Sequence, residues 1–143
     1  MPHLIRFALA ALLLLAVPVL AGCSGGEKMT AEERAAAERE AQLGRLAGDW
    51  AGQLNALGSS LRIVVHVRRA PDGTLSATLD SPDQGATGIR ATDVSFEDGR
   101  FVMEVGSIGG TYTGTLQPDA DVLDGQWTQG GQTFALNLRR TGG

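Results

Sequence analysis

Only one cysteine and two histidines occur among the 143 residues, and aromatic side chains make up just 5% of them. A single cysteine excludes any disulfide within one molecule. His3 falls in the leader described below, so His66 stands alone in the rest of the chain and a two-histidine metal site is excluded. From Gly48 onward no GxSxG stretch is present to set a serine nucleophile on a strand-to-helix turn, and His66 has no second histidine to share acid–base work with. His66 alternates to the face opposite Val65 and Val67 and is expected in solvent. The acidic turn Asp119, Asp121 and Asp124 departs from the calcium-loop pattern in both ligand spacing and the place of its glycine, Gly125. Neither metal nor cofactor is expected, and the reading is of a protein that is not an enzyme.

Clustered basic charge is missing as well. Removing Arg6 with the leader leaves eleven Lys and Arg against sixteen Asp and Glu, a balance of minus five, so no nucleic-acid surface is expected. The pairs Arg68–Arg69 and Arg139–Arg140 read as solvated strand ends. Long apolar runs are also absent. The most apolar one, FALAALLLLAVPVL, has fourteen residues, about 21 Å as a helix against a hydrocarbon core of roughly 30 Å. Following Arg6, it reads as the h-region of an export signal, residues 1–22, and not as a permanent span.

The next residues carry a more specific signal. LAGC, Leu20 to Cys23, resembles the lipobox of bacterial lipoproteins, with the chain's only cysteine in the position that receives lipid. The resemblance implies cleavage before Cys23 and acylation of its sulfur and amine, the multiple chains that stable anchoring requires. Ser24 follows where an Asp would signal inner-membrane retention, so an outer-membrane anchor facing the periplasm is the expected location. Residues 23–29 then form a lipidated, glycine-rich tether.

Thr30 and Glu33 have capping-box spacing, and the Ala- and Glu-rich residues 30–47 are expected to form a spacer helix with a small docking face around Leu43 and Leu46. No repeating apolar heptads support a coiled coil. From Gly48 the period becomes two. Leu61, Ile63, Val65 and Val67 share a face, as do Phe101, Met103 and Val105, and Phe134, Leu136 and Leu138. About eight strands result, near 48–56, 59–69, 74–80, 88–96, 100–107, 111–116, 122–128 and 132–140, separated by turn signals such as Pro71-Asp72-Gly73 and Gly130-Gly131.

The expected fold is therefore all-β, an antiparallel meander over 48–140 closing into a small barrel of lipocalin or streptavidin type. GDWAGQL at 48–54 and GTYTGTL at 110–116 place Gly and an aromatic at matching offsets, with a partial echo in LDGQW at 123–127. Rings beside glycines suit tightly curved strands. Eight strands enclose a space that side chains fill or that holds one small ligand. A filled interior is the first expectation. Trp50, Tyr112 and Trp127, whose polar atoms need partners, are the candidates for a ligand-holding mouth.

LDSPDQGATGI at 79–89, with GDWAGQL, GGTYTGTL and LDGQWTQGG, resembles the small β domain that precedes some secreted bacterial α/β-hydrolases and related serine hydrolases. Arg90 stands where that family tends to have proline, and Phe134-Ala135-Leu136 where it tends to have LPL. The resemblance implies an accessory module without its enzyme and transfers no catalytic residue. Within the loop, Asp83 and Gln84 are the polar groups most open to a partner. The functional expectation is a lipid-anchored, non-catalytic binding module of the outer envelope, engaging an envelope protein or polymer. The alternatives are a lipocalin-like carrier of a small apolar ligand and an accessory subunit of a separately encoded hydrolase.

Overall fold

A computed structural model describes residues 28–56 and 58–142. The leader 1–22, Cys23 and tether residues 24–27 lie outside the described residues. Helix α1 (Ala31–Leu46) starts at the anticipated capping box. The Thr30 amide donates to the Glu33 carboxylate at 2.7 Å and the Thr30 hydroxyl accepts from the Glu33 amide at 3.2 Å. Its first turns are exposed, but its last turn is not a free spacer. Leu46 is fully buried, and Arg45 donates to the carbonyls of Gln117, Pro118 and Ala120. The Arg69 guanidinium also grips Glu40 in a two-pronged pair at 2.6 and 2.8 Å.

Ten strands follow: β1 (Gly48–Ala56), β2 (Ser59–Arg69), β3 (Leu75–Ser81), β4 (Ala86–Arg90), β5 (Asp93–Glu97), β6 (Arg100–Val105), β7 (Gly110–Leu116), β8 (Val122–Gln129), β9 (Gln132–Ala135) and β10 (Leu138–Gly142). All pair antiparallel in one sheet of order β4-β3-β2-β1-β10-β8-β7-β6-β5, with β9 also on β8. The first strand thus lies beside the last, with Trp50 opposite Arg140.

Two of the expected eight segments divide. In 88–96 the chain changes partners: Ile89 sits opposite Leu79 of β3, whereas Val94 sits opposite Met103 of β6. The two ends of the sheet are therefore consecutive in the chain. No ladder joins β4 to β5, but between them the Ala91 amide donates to Ala77 and the Thr92 amide to Glu104. In 132–140 the break is milder. Ala135 faces Gln126 and Leu138 faces Leu123 in one continuous register, and at the interruption the Gly125 amide donates to the Asn137 side chain.

Side chains alternate as the period of two requires, so Trp50, Val65, Met103, Tyr112, Leu123 and Leu138 meet in one fully buried core. The Tyr112 ring lies over Gly114 and Gly125, and the Trp127 ring lies over Gly110. A Cβ at any of these glycines would run into the ring or its hydroxyl, whereas at Gly52 of GDWAGQL it would meet the Asn137 carbonyl and Leu138, so the matching patterns of β1 and β7 have different causes. At the α1 end, Leu46, Trp50, Phe101, Tyr112 and Leu138 leave the interior filled. The opposite end carries the β1–β2, β3–β4, β6–β7 and β8–β9 connections, and there the packing opens.

Candidate apolar binding cavity

A cavity of about 550 Å³ occupies that open end. This lies within the range of roughly 300–1,000 Å³ typical of small-molecule sites. Strand alternation supplies its walls: Leu54 from β1, Leu61 and Ile63 from β2, Leu79 from β3, and Trp127 from β8. Ile89, from β4, and Phe134, from β9, are only partly buried there. Four polar residues complete the lining, namely Ser81, Gln84, Gln129 and Gln132.

Two like-built turns form lips. Residues Pro82–Gln84 and Gly106–Ile108 are each a single 3-10 turn. The preceding residues have similar backbones, Ser81 at φ −126 and ψ 86, Val105 at φ −119 and ψ 78. Each turn ends on a left-handed glycine, Gly85 at φ 68 and Gly109 at φ 60, a conformation costly for other residues. The third residue of each turn, Gln84 or Ile108, reaches the cavity. Ile108 is 37% exposed, unusual for a large aliphatic side chain in a domain whose other aliphatics are mostly covered.

The anticipated site residues separate. Trp127 and Gln84 line the cavity, whereas Trp50 and Tyr112 lie fully buried in the filled half. The Trp50 indole donates to the Leu46 carbonyl at 2.9 Å, and the Tyr112 hydroxyl donates to the Leu123 carbonyl at 3.2 Å. Burial pushes the Tyr112 phenol well above its ordinary pKa. Asp83 is turned away from the lining and accepts from both the guanidinium and the backbone amide of Arg62, each at 2.7 Å. That pairing holds its carboxyl below the usual range and ties the lip to β2. At the rim, the Trp127 indole donates to Gln129, whose amide in turn donates to the Ile108 carbonyl at 2.8 Å. Ile108, Ser81, Gln129 and Gln132 were not singled out in the sequence. The signal for Ile108 is its position, equivalent to that of Gln84 in the matching turn.

A second cluster lies on the outer face of β1, β2 and β3. The His66 ring is 29% exposed and held between two carboxylates, Nδ1 against Asp49 at 2.8 Å and Nε2 against Asp80 at 3.1 Å. Arg68 also donates to Asp49, and Asp80 accepts from the Gly88 amide at 2.6 Å, fixing the irregularity where β4 leaves β3. With both ring nitrogens occupied, His66 ties β1, β2 and β3 together across their outer face. The hydrogen bonds to Asp49 and then Asp80 raise its pKa, while that of Asp49 is lowered by His66 and Arg68, and that of Asp80 chiefly by the Gly88 amide.

Protonated His66 therefore stabilises the fold fully below its ordinary value of about 6.5, and this contribution is lost as pH rises through the raised folded value. The two carboxylates contribute above their ordinary value of about 4, and this is lost as pH falls through their depressed folded values. Unfolding free energies from denaturant titration should hold steady near pH 5–6 and decline toward pH 9 by at most ~1 kcal/mol, the size of a solvent-screened pair. His66→Gln should remove the alkaline decline; an unchanged decline in that variant would assign it to other groups.

In comparison with known proteins, the chain matches no protein-family model. No curated protein matches it in sequence either.

Proposed function

We propose that this protein is a lipid-anchored, non-catalytic binding module of the cell envelope that holds a small apolar ligand. In this reading the sheet wraps as a small barrel, closed at one end by α1 and open at the other. The observation that carries it is the cavity of about 550 Å³, walled by aliphatic and aromatic side chains at the end opposite the helix. Burying an apolar ligand there gains about 25 cal/mol per Å² of apolar surface removed from water, and the pre-formed walls limit the ordering penalty. A helix-capped end and an open end divide the labour, one fixing the fold and the other receiving the guest. The lipobox supports attachment through Cys23, and the spacing of Thr30 from it leaves a short tether. Acyl labelling that persists in Cys23→Ser would remove the anchor from this reading.

Fluorescence tests the cavity. The apolar probe N-phenylnaphthylamine is expected to brighten saturably on mixing with the protein and to accept excitation energy from Trp127. Trp127→Phe should remove most of that transfer while Trp50 remains. Ile89→Arg, which sets a charge in the wall, should abolish binding with the β-sheet circular dichroism retained. A probe that does not saturate, or that binds Ile89→Arg equally well, would exclude the cavity as the site.

A further inference from the structure

Resting on the reading of the cavity as the binding site, we infer that it selects an uncharged amphiphile: a hydrocarbon chain bearing a neutral hydrogen-bonding head such as an amide, ester or alcohol. The lining has ten apolar residues and four polar ones, and every polar one is a hydroxyl or a primary amide. Asp83, the charge nearest the lip in sequence, is engaged by Arg62 and contributes nothing to the wall. An ionic head drawn into this lining would meet no counter-charge. At this half-open lip an unpaired ion would give up part of its hydration for no counter-charge, a larger cost than for a neutral head that finds a hydrogen-bond partner.

The placement of the polar groups gives the head its position. Ser81 is 1% exposed, a buried polar side chain within an otherwise apolar core, and its hydroxyl donates to the Gln84 carbonyl oxygen at 2.8 Å. That bond leaves the lone pairs of Ser81 Oγ and the two N–H groups of the Gln84 amide as acceptor and donors at the lip. Among the described residues the Gln84 amide nitrogen donates to no protein group. A neutral amide or alcohol can satisfy both kinds of site at once. Across the opening, Ile108 presents the exposed aliphatic surface along which the chain would lie. The paired lips thus offer one polar and one apolar contact to a ligand with the same two-part character.

Displacement of bound N-phenylnaphthylamine from the folded protein by a matched series separates the outcomes. Dodecanamide and dodecanol are expected to compete on the order of tenfold more tightly than dodecanoate or dodecylammonium. Gln84→Ala, at an exposed position, should weaken dodecanamide several-fold while leaving dodecane unchanged. Ser81→Ala should act in the same sense, and Gln84→Ala keeps the test open if that buried change impairs folding. Ions that compete as well as the neutral compounds would overturn the head-group selection while leaving the cavity as the site. Failure of every compound to compete would overturn both readings.

Discussion

Trp50→Ala is expected to destabilise the fold by about 3–5 kcal/mol, the range for truncating a fully buried large aromatic. Domains of this size are held by about 5–15 kcal/mol in total, so the variant should sit close to its unfolding threshold. The ring has no exposed surface, and its removal leaves a void among side chains that are themselves fully buried. It also undoes the junction of helix and sheet. The indole N–H satisfies the Leu46 carbonyl at the end of α1, where helical partners run out. The Arg140 guanidinium lies 4.8 Å from the ring and donates to the Ala47 carbonyl at 2.8 Å, so the same side chain organises the β10 contact. Trp50→Phe keeps most of the volume and loses the N–H; a cost nearer ~1–2 kcal/mol is expected. Urea unfolding reads both values. A loss below ~1 kcal/mol for Trp50→Ala would show that the helix junction is not fastened through this ring.

This role for Trp50 shows what alternation along a strand can and cannot say. Period-two patterning separates inward from outward residues, and it placed Trp50, Tyr112 and Trp127 on the buried side. It carries no information about height along the strand. Trp50 stands near the start of β1, beside α1, whereas Trp127 stands near the end of β8, beside the open end. Only the pairing register separates them: Trp50 opposite Val65 and Arg140, Trp127 opposite Tyr112 and Phe134. The division of 88–96 left a trace in the pattern. Ile89 and Ala91 are partly buried at odd positions, whereas at even ones Val94 is partly and Phe96 fully buried, a slip of one residue where the chain leaves β3 for β6. The segment 132–140 shows no such slip, because Phe134, Leu136 and Leu138 keep one phase through a continuous register. Phase alone turns His66 toward solvent, and the structure leaves its ring 29% exposed on the outer face. Its carboxylate partners lie 17 and 14 residues away and meet it only once the strands are aligned. The cavity is legible only in part, through Trp127 and Gln84, because its lips come from two turns whose shared geometry, apart from the closing glycine, is written in backbone angles and not in shared residue types.

Gly125→Ala should cost about 2–4 kcal/mol, far beyond the helix-type propensity difference between these residues, because the added methyl has nowhere to go. Its Cβ would stand 2.5 Å from the Thr113 carbonyl oxygen, 2.6 Å from the Tyr112 hydroxyl and 2.8 Å from the Gly114 Cα. The hydroxyl could swing aside by giving up its bond to Leu123, but Thr113 and Gly114 are backbone in the paired strand β7, directly opposite. Separating β7 from β8 would also disturb the far edge of β8, where Gly125 donates to Asn137 and accepts from the Leu136 amide. Two companion variants make the cause readable. Tyr112→Phe removes only the hydroxyl, so combining it with Gly125→Ala should recover a minor share of the loss if the backbone clash dominates. Gly44→Ala, in α1 with no atom within 4 Å of its added Cβ, should instead stabilise by about 0.5–1 kcal/mol. Full recovery in the double variant would shift the obstruction from the β7 backbone to the tyrosine hydroxyl. A Gly125→Ala protein as stable as the parent would mean that the two strands can part without loss, contrary to a sheet whose close glycine pair lies under an aromatic lid.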